Sequence, residues 1–208
     1  MSNYEKPDFW ALKARKEGYP ARSVYKLLEI DGKFGLLPKG NKAGFKILEL
    51  GASPGSWSLY ILRKLSGSGF LAACDLSSLS SRFEAEFRAE KNFFFKQADM
   101  FAAGTQAELA GLGPFNLILS DAAPLTSGER GLDAARSHEL AEAACLYARS
   151  ALKKGGNLCV KIFQGAETAG LIKKMRPAFN ALKTFKPEAC RSSSFETYLV
   201  GLGFKILS

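Results

Sequence analysis

The stretch Phe45-Lys-Ile-Leu-Glu-Leu-Gly-Ala-Ser-Pro-Gly-Ser-Trp57 constrains this chain more than any other segment. Its first half is nearly all apolar, the pattern of a strand covered on both faces. It runs straight into a turn holding two glycines and a proline, and then into a helix predicted over Ser56–Leu65. A strand that hands over to a helix belongs to a parallel sheet, because parallel neighbours need a crossover rather than a hairpin.

The same alternation repeats downstream. Gly69–Leu76, Asn92–Ala98, Phe115–Ser120 and Asn157–Phe163 read as further strands. Leu79–Lys91, Thr105–Gly111, Asp133–Lys154 and Glu167–Asn180 read as the intervening helices, with Gly155-Gly156 stopping the third of these. Thr184–Ala189 and Thr197–Phe204 read as late strands on either side of the serine-rich turn Arg191–Ser194. Ahead of the sheet, Asp8–Ile30 reads as a helix broken near Gly18-Tyr-Pro20, followed by the loop Gly32–Gly44. The expectation is a single α/β domain, Rossmann-like, with a mostly parallel seven-stranded sheet and helices on both faces. Residues 1–44 are expected to be a basic helical extension of the same domain that residues 45–208 form.

Ligands in such sheets bind beyond the carboxyl ends of the strands. Gly51, Asp75, Asp99 and Asp121 all fall at such ends, and core packing gives no reason for a small or acidic residue at each. The loop Gly51-Ala52-Ser53-Pro54-Gly55-Ser56-Trp57 does not meet the G-x-G-x-x-G dinucleotide fingerprint. Its glycines suit close backbone approach by a ligand. Asp75 is placed to accept hydrogen bonds from ribose hydroxyls, and Asp99, followed by Met100, to accept from an adenine amino group. An adenosine cofactor that needs no phosphate cradle fits S-adenosyl-L-methionine better than NAD.

Four ionisable residues stand apart from ordinary surface charge. Lys161 lies inside an apolar strand, where a lysine is costly unless paired or solvated. Asp121 closes the strand before it, in Ser120-Asp-Ala-Ala-Pro124. Lys26 sits on the basic N-terminal helix, and Glu196 at the start of the last strand. Taken singly, Lys26 reads as a solvated helix lysine and Glu196 as a strand-edge charge. Two amines and two carboxylates around a cofactor loop point to removal of a proton from a hydroxyl that faces an electrophile. A free lysine, with a pKa of about 10.4, holds its proton at neutral pH, so a base of this type needs a neighbouring cation and partial desolvation. No metal site is expected. His138, the only histidine, falls on the long helix away from these positions. Four dispersed cysteines without a C-x-x-C pair read as reduced thiols.

In this order the motifs resemble those of the ribose 2′-O-methyltransferases of the FtsJ/RrmJ (RlmE) type, over nearly the whole chain. The carrying segments are Arg22-Ser-Val-Tyr-Lys-Leu-Leu-Glu-Ile30, the loop Gly51–Trp57, Ser120–Pro124, Val160-Lys-Ile-Phe-Gln-Gly165 and Glu196-Thr-Tyr198. The resemblance implies a catalytic set Lys26, Asp121, Lys161 and Glu196. It implies cofactor contacts from Gly51, Ala52, Ser53, Pro54, Gly55, Trp57, Asp75, Asp99, Met100 and Asp121. It also implies transfer of a methyl group from S-adenosyl-L-methionine to a 2′-hydroxyl, of a uridine in large-subunit (23S) ribosomal RNA. Four positions depart from the family pattern: Ser53 and Ser56 replace small loop residues, Leu125 stands where asparagine is usual, and Phe195 stands where arginine is usual.

The charge agrees with a polyanion partner. The formal net charge is +9, with ten basic and six acidic residues in 1–50, nine and eleven in 51–150, and ten and three in 151–208. If the two basic ends fold side by side they form one positive face. Lys13, Arg15, Lys16 and Arg22 near the start, and Lys173, Lys174, Arg176, Lys183, Lys186 and Arg191 near the end, are candidate phosphate contacts. Phe9, Trp10 and Tyr19 are candidates for base stacking or for burial against the sheet. No apolar run approaches the roughly 20 residues that span a bilayer, and residues 1–20 lack an apolar signal core. The expectation is a cytoplasmic monomer acting on ribosomal RNA within a large subunit or its precursor. Methylation of tRNA or another RNA, a non-catalytic RNA-binding protein of the same fold, and a small-molecule methyltransferase or NAD oxidoreductase remain the alternatives at this stage.

Overall fold

The strand announced by Lys46–Leu50 (β1) lies inside a seven-stranded sheet of order β3-β2-β1-β4-β5-β7-β6. The chain is described from a computed structural model, over residues 8–40, 43–124, 127–165, 167–191 and 194–205. The other strands are Phe70–Asp75 (β2), Phe93–Gln97 (β3), Phe115–Ser120 (β4), Leu152–Phe163 (β5), Phe179–Phe185 (β6) and Glu196–Phe204 (β7). β1 to β5 pair in parallel, and β7 runs antiparallel between β5 and β6. The helices are Phe9–Lys16 (α1), Val24–Phe34 (α2), Ser56–Leu65 (α3), Glu84–Ala89 (α4), Ala103–Gly111 (α5), Arg130–Ala151 (α6) and Thr168–Met175 (α7).

Strand alternation sends successive side chains to opposite faces, and two apolar cores result. One holds Leu27, Ile30, Ile47, Trp57, Ile61, Leu117, Cys159 and Tyr198, so it lies under α2 and α3. The other holds Leu48, Ile118, Val160, Leu199 with Ala144, Ala148 and Leu171, so it lies under α6 and α7. Ile47 of β1, Leu117 and Leu119 of β4 and Cys159 of β5 therefore face α2 and α3. This parity decides where Asp121 and Lys161 point.

Four sequence-based boundaries are corrected. The long helix ends at Ala151, not at Lys154, and Gly155-Gly156 lie within β5. Phe115 pairs with Leu152 but Leu117 with Asn157, so the glycines, with Gly155 at φ +80°, form a bulge rather than a helix stop. The helix expected to reach Asn180 stops at Met175, and a single 3-10 turn over Arg176–Ala178 follows. Pro177 cannot continue a helix. The strand expected at Thr184–Ala189 is instead Phe179–Phe185; Phe179 packs on Phe204 of β7 at 5.4 Å between ring centroids. The helix expected over Leu79–Lys91 is also shorter: a 3-10 turn at Ser81–Phe83 leads into α4.

Sequence order reverses between β1 and its neighbours β2 and β4, which makes the carboxyl end of β1 a topological switch point. All four cysteines are free and buried. Among the described residues no helix is long and apolar enough to cross a membrane.

Candidate active site

Gly51 opens the crevice at this switch point. Its φ is +76°, and a Cβ there would stand 2.4 Å from the Ala122 backbone. Only glycine lets the β1 and β4 ends approach this closely. The loop is then pinned to β2: the Gly51 and Ala52 N–H groups donate to the Cys74 carbonyl, and the Ser53 N–H donates to Asp75 Oδ2 at 2.9 Å. The other Asp75 oxygen accepts from the Ser77 N–H at 2.7 Å. Ser53 donates its hydroxyl to the Ser78 carbonyl. Ser56 accepts from the Ala21 N–H at 2.7 Å and so fastens α3 to the segment ahead of α2. These two serines, the loop's departures from the family pattern, thus serve as polar anchors.

Beside the loop is a cleft of about 340 Å³ lined by Gly51, Asp75, Asp99, Met100, Ala122 and neighbouring residues. Carboxylates flank it on the β2 and β3 sides. Leu76, 70% exposed, and Phe101, 47% exposed, form an apolar rim. Neither was singled out from sequence; the signal available was a bulky apolar residue directly or two positions after each strand-end aspartate. Leu140 of α6 lines the cleft's far side. Of the residues expected to bind cofactor, Gly51, Asp75, Asp99 and Met100 line this cleft, and Asp121 directly precedes its Ala122. Ala52, Ser53, Pro54 and Gly55 shape the adjoining turn. Trp57 is placed elsewhere: it is buried, its indole N–H donates to the Ser23 carbonyl at 2.7 Å, and its ring lies 5.9 Å from that of Tyr198.

The four ionisable residues converge on the α2-facing side of the sheet. Lys161 of β5 is 5% exposed, and its Nζ lies 3.2 Å from Asp121 Oδ1 while also donating to the Asp121 carbonyl. Lys26 Nζ stands 2.8 Å from both oxygens of Glu196. Burial works to lower the Lys26 pKa, but Asp121 and Glu196 outweigh it, so the ammonium is held charged. The Asp121–Lys161 pair is braced by a residue that sequence reasoning missed. Tyr198 sits opposite Lys161 in the β5–β7 register and donates its hydroxyl to Asp121 Oδ1 at 2.7 Å. Burial first, and then the Asp121 charge, push the Tyr198 phenol well above its ordinary pKa. The available signal was spacing: two residues after Glu196 on a strand means the same face.

Next to Lys26 and Glu196 lies an open recess of about 290 Å³ lined also by Arg22, Arg191, Ser23 and Ser194. Arg22 pairs with Asp8 and donates to the Ala189 carbonyl. Burial, then the nearby Arg191, lower its pKa, so an anion entering here would meet two closely spaced guanidinium groups. Phe195 borders this region and is 48% exposed, while Leu125 lies outside the described residues. His138 lies away from this set, 3.9 Å from Glu142 and from Glu167. Among the described residues no group of three or more His, Cys, Asp or Glu side chains is arranged to hold a metal ion.

Known proteins share this arrangement of sequence and fold. The sequence model described as FtsJ-like methyltransferase matches residues 19–204. A ribosomal RNA large subunit methyltransferase E from Treponema denticola is 48% identical over 98% of this chain and 98% of its own length. A protein of the same name from Oleidesulfovibrio alaskensis is 44% identical over 95% of this chain and 92% of its own. A crystal structure described as a ribosomal RNA methyltransferase from Plasmodium falciparum superposes with a TM-score of 0.74 at 26% identity, covering 89% of this chain and 98% of the other. With the family model spanning all seven strands and the relatives matching nearly end to end, this chain belongs to the FtsJ-like methyltransferase family.

Proposed function

We propose that this protein transfers a methyl group from S-adenosyl-L-methionine to the 2′-hydroxyl of a ribose in large-subunit ribosomal RNA, at a uridine. The observation that carries the reading is the convergence of Lys26, Asp121, Lys161 and Glu196 beside the carboxylate-flanked cleft. The cleft fits the cofactor chemically: two acidic ends suit hydroxyl and amino donors, apolar walls suit a flat purine, and Gly51 leaves room for close approach. Gly51, Asp75, Asp99 and Met100 would hold it. When bound, it supplies an electrophilic methyl carbon on a sulfonium.

The protein's own groups then handle one proton and one orientation. Lys161 acts as the general base on the ribose hydroxyl. Asp121 fixes the Lys161 amine through its carboxylate and its carbonyl, and Tyr198 fixes Asp121 in turn. Lys26 remains a cation and, held by Glu196, stabilises negative charge that builds on the ribose oxygen. Holding both reactants in line supplies up to about 7–11 kcal/mol in ideal cases, without bond-making by the protein. Arg22 and Arg191 receive an RNA phosphate in the adjoining recess. The protein works in the compartment where large subunits mature and acts as a monomer.

The deciding test uses large ribosomal subunits that lack the modification, with cofactor labelled in its methyl group. Lys161→Ala is expected to bind S-adenosylhomocysteine with unchanged affinity in calorimetry and to lose transfer by at least about a hundred-fold. Turnover near the wild-type rate would refute the assignment of the base.

A further inference from the structure

The most exposed aromatic ring among the described residues has no place in the chemistry above. Phe9, the first residue of α1, is 68% exposed. It is nonetheless held in a defined pose. Its ring meets Trp10 edge-on at 5.5 Å, and Trp10 lies against Tyr25 at 5.0 Å. Tyr25 donates its hydroxyl to Glu17 at 2.9 Å and directly precedes Lys26 in α2. Lys13 Nζ sits 4.7 Å from the Tyr25 ring centroid and 5.4 Å from that of Trp10. Asp8, the N-cap of α1, accepts from the Trp10 N–H and pairs with Arg22. Arg22 also lines the recess beside Lys26 and Glu196.

Resting on the ribose methyltransferase reading, we propose that α1 is a stacking platform for an unpaired nucleobase of the RNA strand that enters the active site, with the Phe9 ring as its stacking surface. Two observations choose RNA over an apolar protein partner. The helix Phe9–Lys16 carries Lys13, Arg15 and Lys16 and no acidic residue, and Leu12 is its only other exposed large apolar side chain. A protein seated here would cover three cations to bury two apolar groups. A nucleotide instead offers a π-face to the ring and a phosphate to the lysines. The second observation is continuity: Arg22 belongs both to the α1 cap and to the recess beside the ribose site, so one strand could run from the recess to Phe9 along a basic path. Stacking accepts any base, so the platform adds affinity and register without reading sequence.

The test measures binding by fluorescence anisotropy of the full-length protein to a labelled single-stranded oligouridylate, alongside methyl transfer to unmodified large subunits. Phe9→Ala and Phe9→Leu are expected to weaken oligouridylate binding by about ten-fold, while Phe9→Trp retains it. The plot of log affinity against log salt should keep its slope in all three, whereas Lys13→Ala should reduce the slope by about one. In methyl transfer, Phe9→Ala should raise KM and leave kcat in place. Equal oligouridylate affinity for wild type, Phe9→Ala and Phe9→Leu would overturn the platform. So would a fall in thermal midpoint with unchanged affinity, which would make Phe9 a packing residue. Absence of methyl transfer by the wild type would defeat the functional reading instead, and the binding comparison would still decide the platform.

Discussion

Glu49 shows how one residue carries the cost of its own burial. It is the penultimate residue of β1, 1% exposed, and faces α3, where the Ser58 hydroxyl lies 2.6 Å from its carboxylate. Burial is the largest influence on it and raises its pKa from 4.5 to about 8, with Asp121 and Asp75 pushing in the same direction against the Ser58 contact. At neutral pH the native carboxyl therefore holds a proton that the unfolded chain has released. The native state binds the extra proton between the two pKa values, so stability falls as pH rises from about 4.5 to about 8 and levels off above. Glu49→Gln keeps the shape and removes the titration. In urea melts its stability relative to wild type should be smallest near pH 5 and grow through pH 8, by on the order of 1.4 kcal/mol for each pH unit crossed. A difference between the two proteins that does not change with pH would show that Glu49 titrates as an ordinary carboxylate. The same residue-scale logic separates what was legible from what was not. Lys161 and Asp121 stood out because charge in or at the end of an apolar strand needs a reason. Tyr198 did not, because a tyrosine among apolar residues reads as core until its hydroxyl partner is known.

At the scale of elements, the active site depends on how α2 is fixed to the far edge of the sheet. Lys26 and Glu196 are 170 residues apart, and no strand pairing brings them together. The tie is made by Glu29, one turn along α2, whose carboxylate accepts from the Glu188 and Ala189 N–H groups at 2.6 and 2.9 Å. Arg22 adds a contact from the start of α2 to the Ala189 carbonyl. Losing Glu29 leaves two backbone donors without their charged acceptor, each such bond being worth about 1.5–3 kcal/mol. Glu29→Ala is therefore expected to lower methyl transfer by about ten-fold or more through displacement of Lys26, with S-adenosylhomocysteine affinity unchanged, because the cofactor loop hangs on β1, β2 and α3 instead. Loss of cofactor binding by that variant would place the coupling elsewhere. Helices and strands bounded by strong local signals, such as Ser56–Leu65 and Phe115–Ser120, were legible to the residue. The Gly155-Gly156 bulge and the strand Phe179–Phe185 were not, since a glycine pair ends helices and bends strands alike, and the choice is made by pairing with β4 and β7.

For the whole molecule, the net charge is +9, and the fold brings Arg22 and Lys26 from one chain end and Arg191 from the other into one recess; the single positive face expected from sequence is not formed, because Lys173 and Lys174 lie on α7, across the sheet from α2. RNA affinity should therefore fall with salt, by at least about ten-fold between roughly 50 and 200 mM, as phosphate contacts release counterions. A salt-independent affinity in filter binding would remove the electrostatic account of substrate capture.

The order of apolar strands and amphipathic helices, the glycine loop at the first strand end and the aspartates at the next three are local facts, and they determined a mostly parallel α/β sheet with a cofactor crevice, while the methyltransferase chemistry followed from the family resemblance that the motifs carry. Which ionisable groups touch, that Trp57 packs on the core rather than lining the crevice, and that Tyr198 braces Asp121 were decided only in three dimensions. The reason is that alternation along a strand assigns side chains to two faces without naming them. Strand order, register and the helix laid across one face are needed before a lysine at position 26 and a glutamate at position 196 can share a contact.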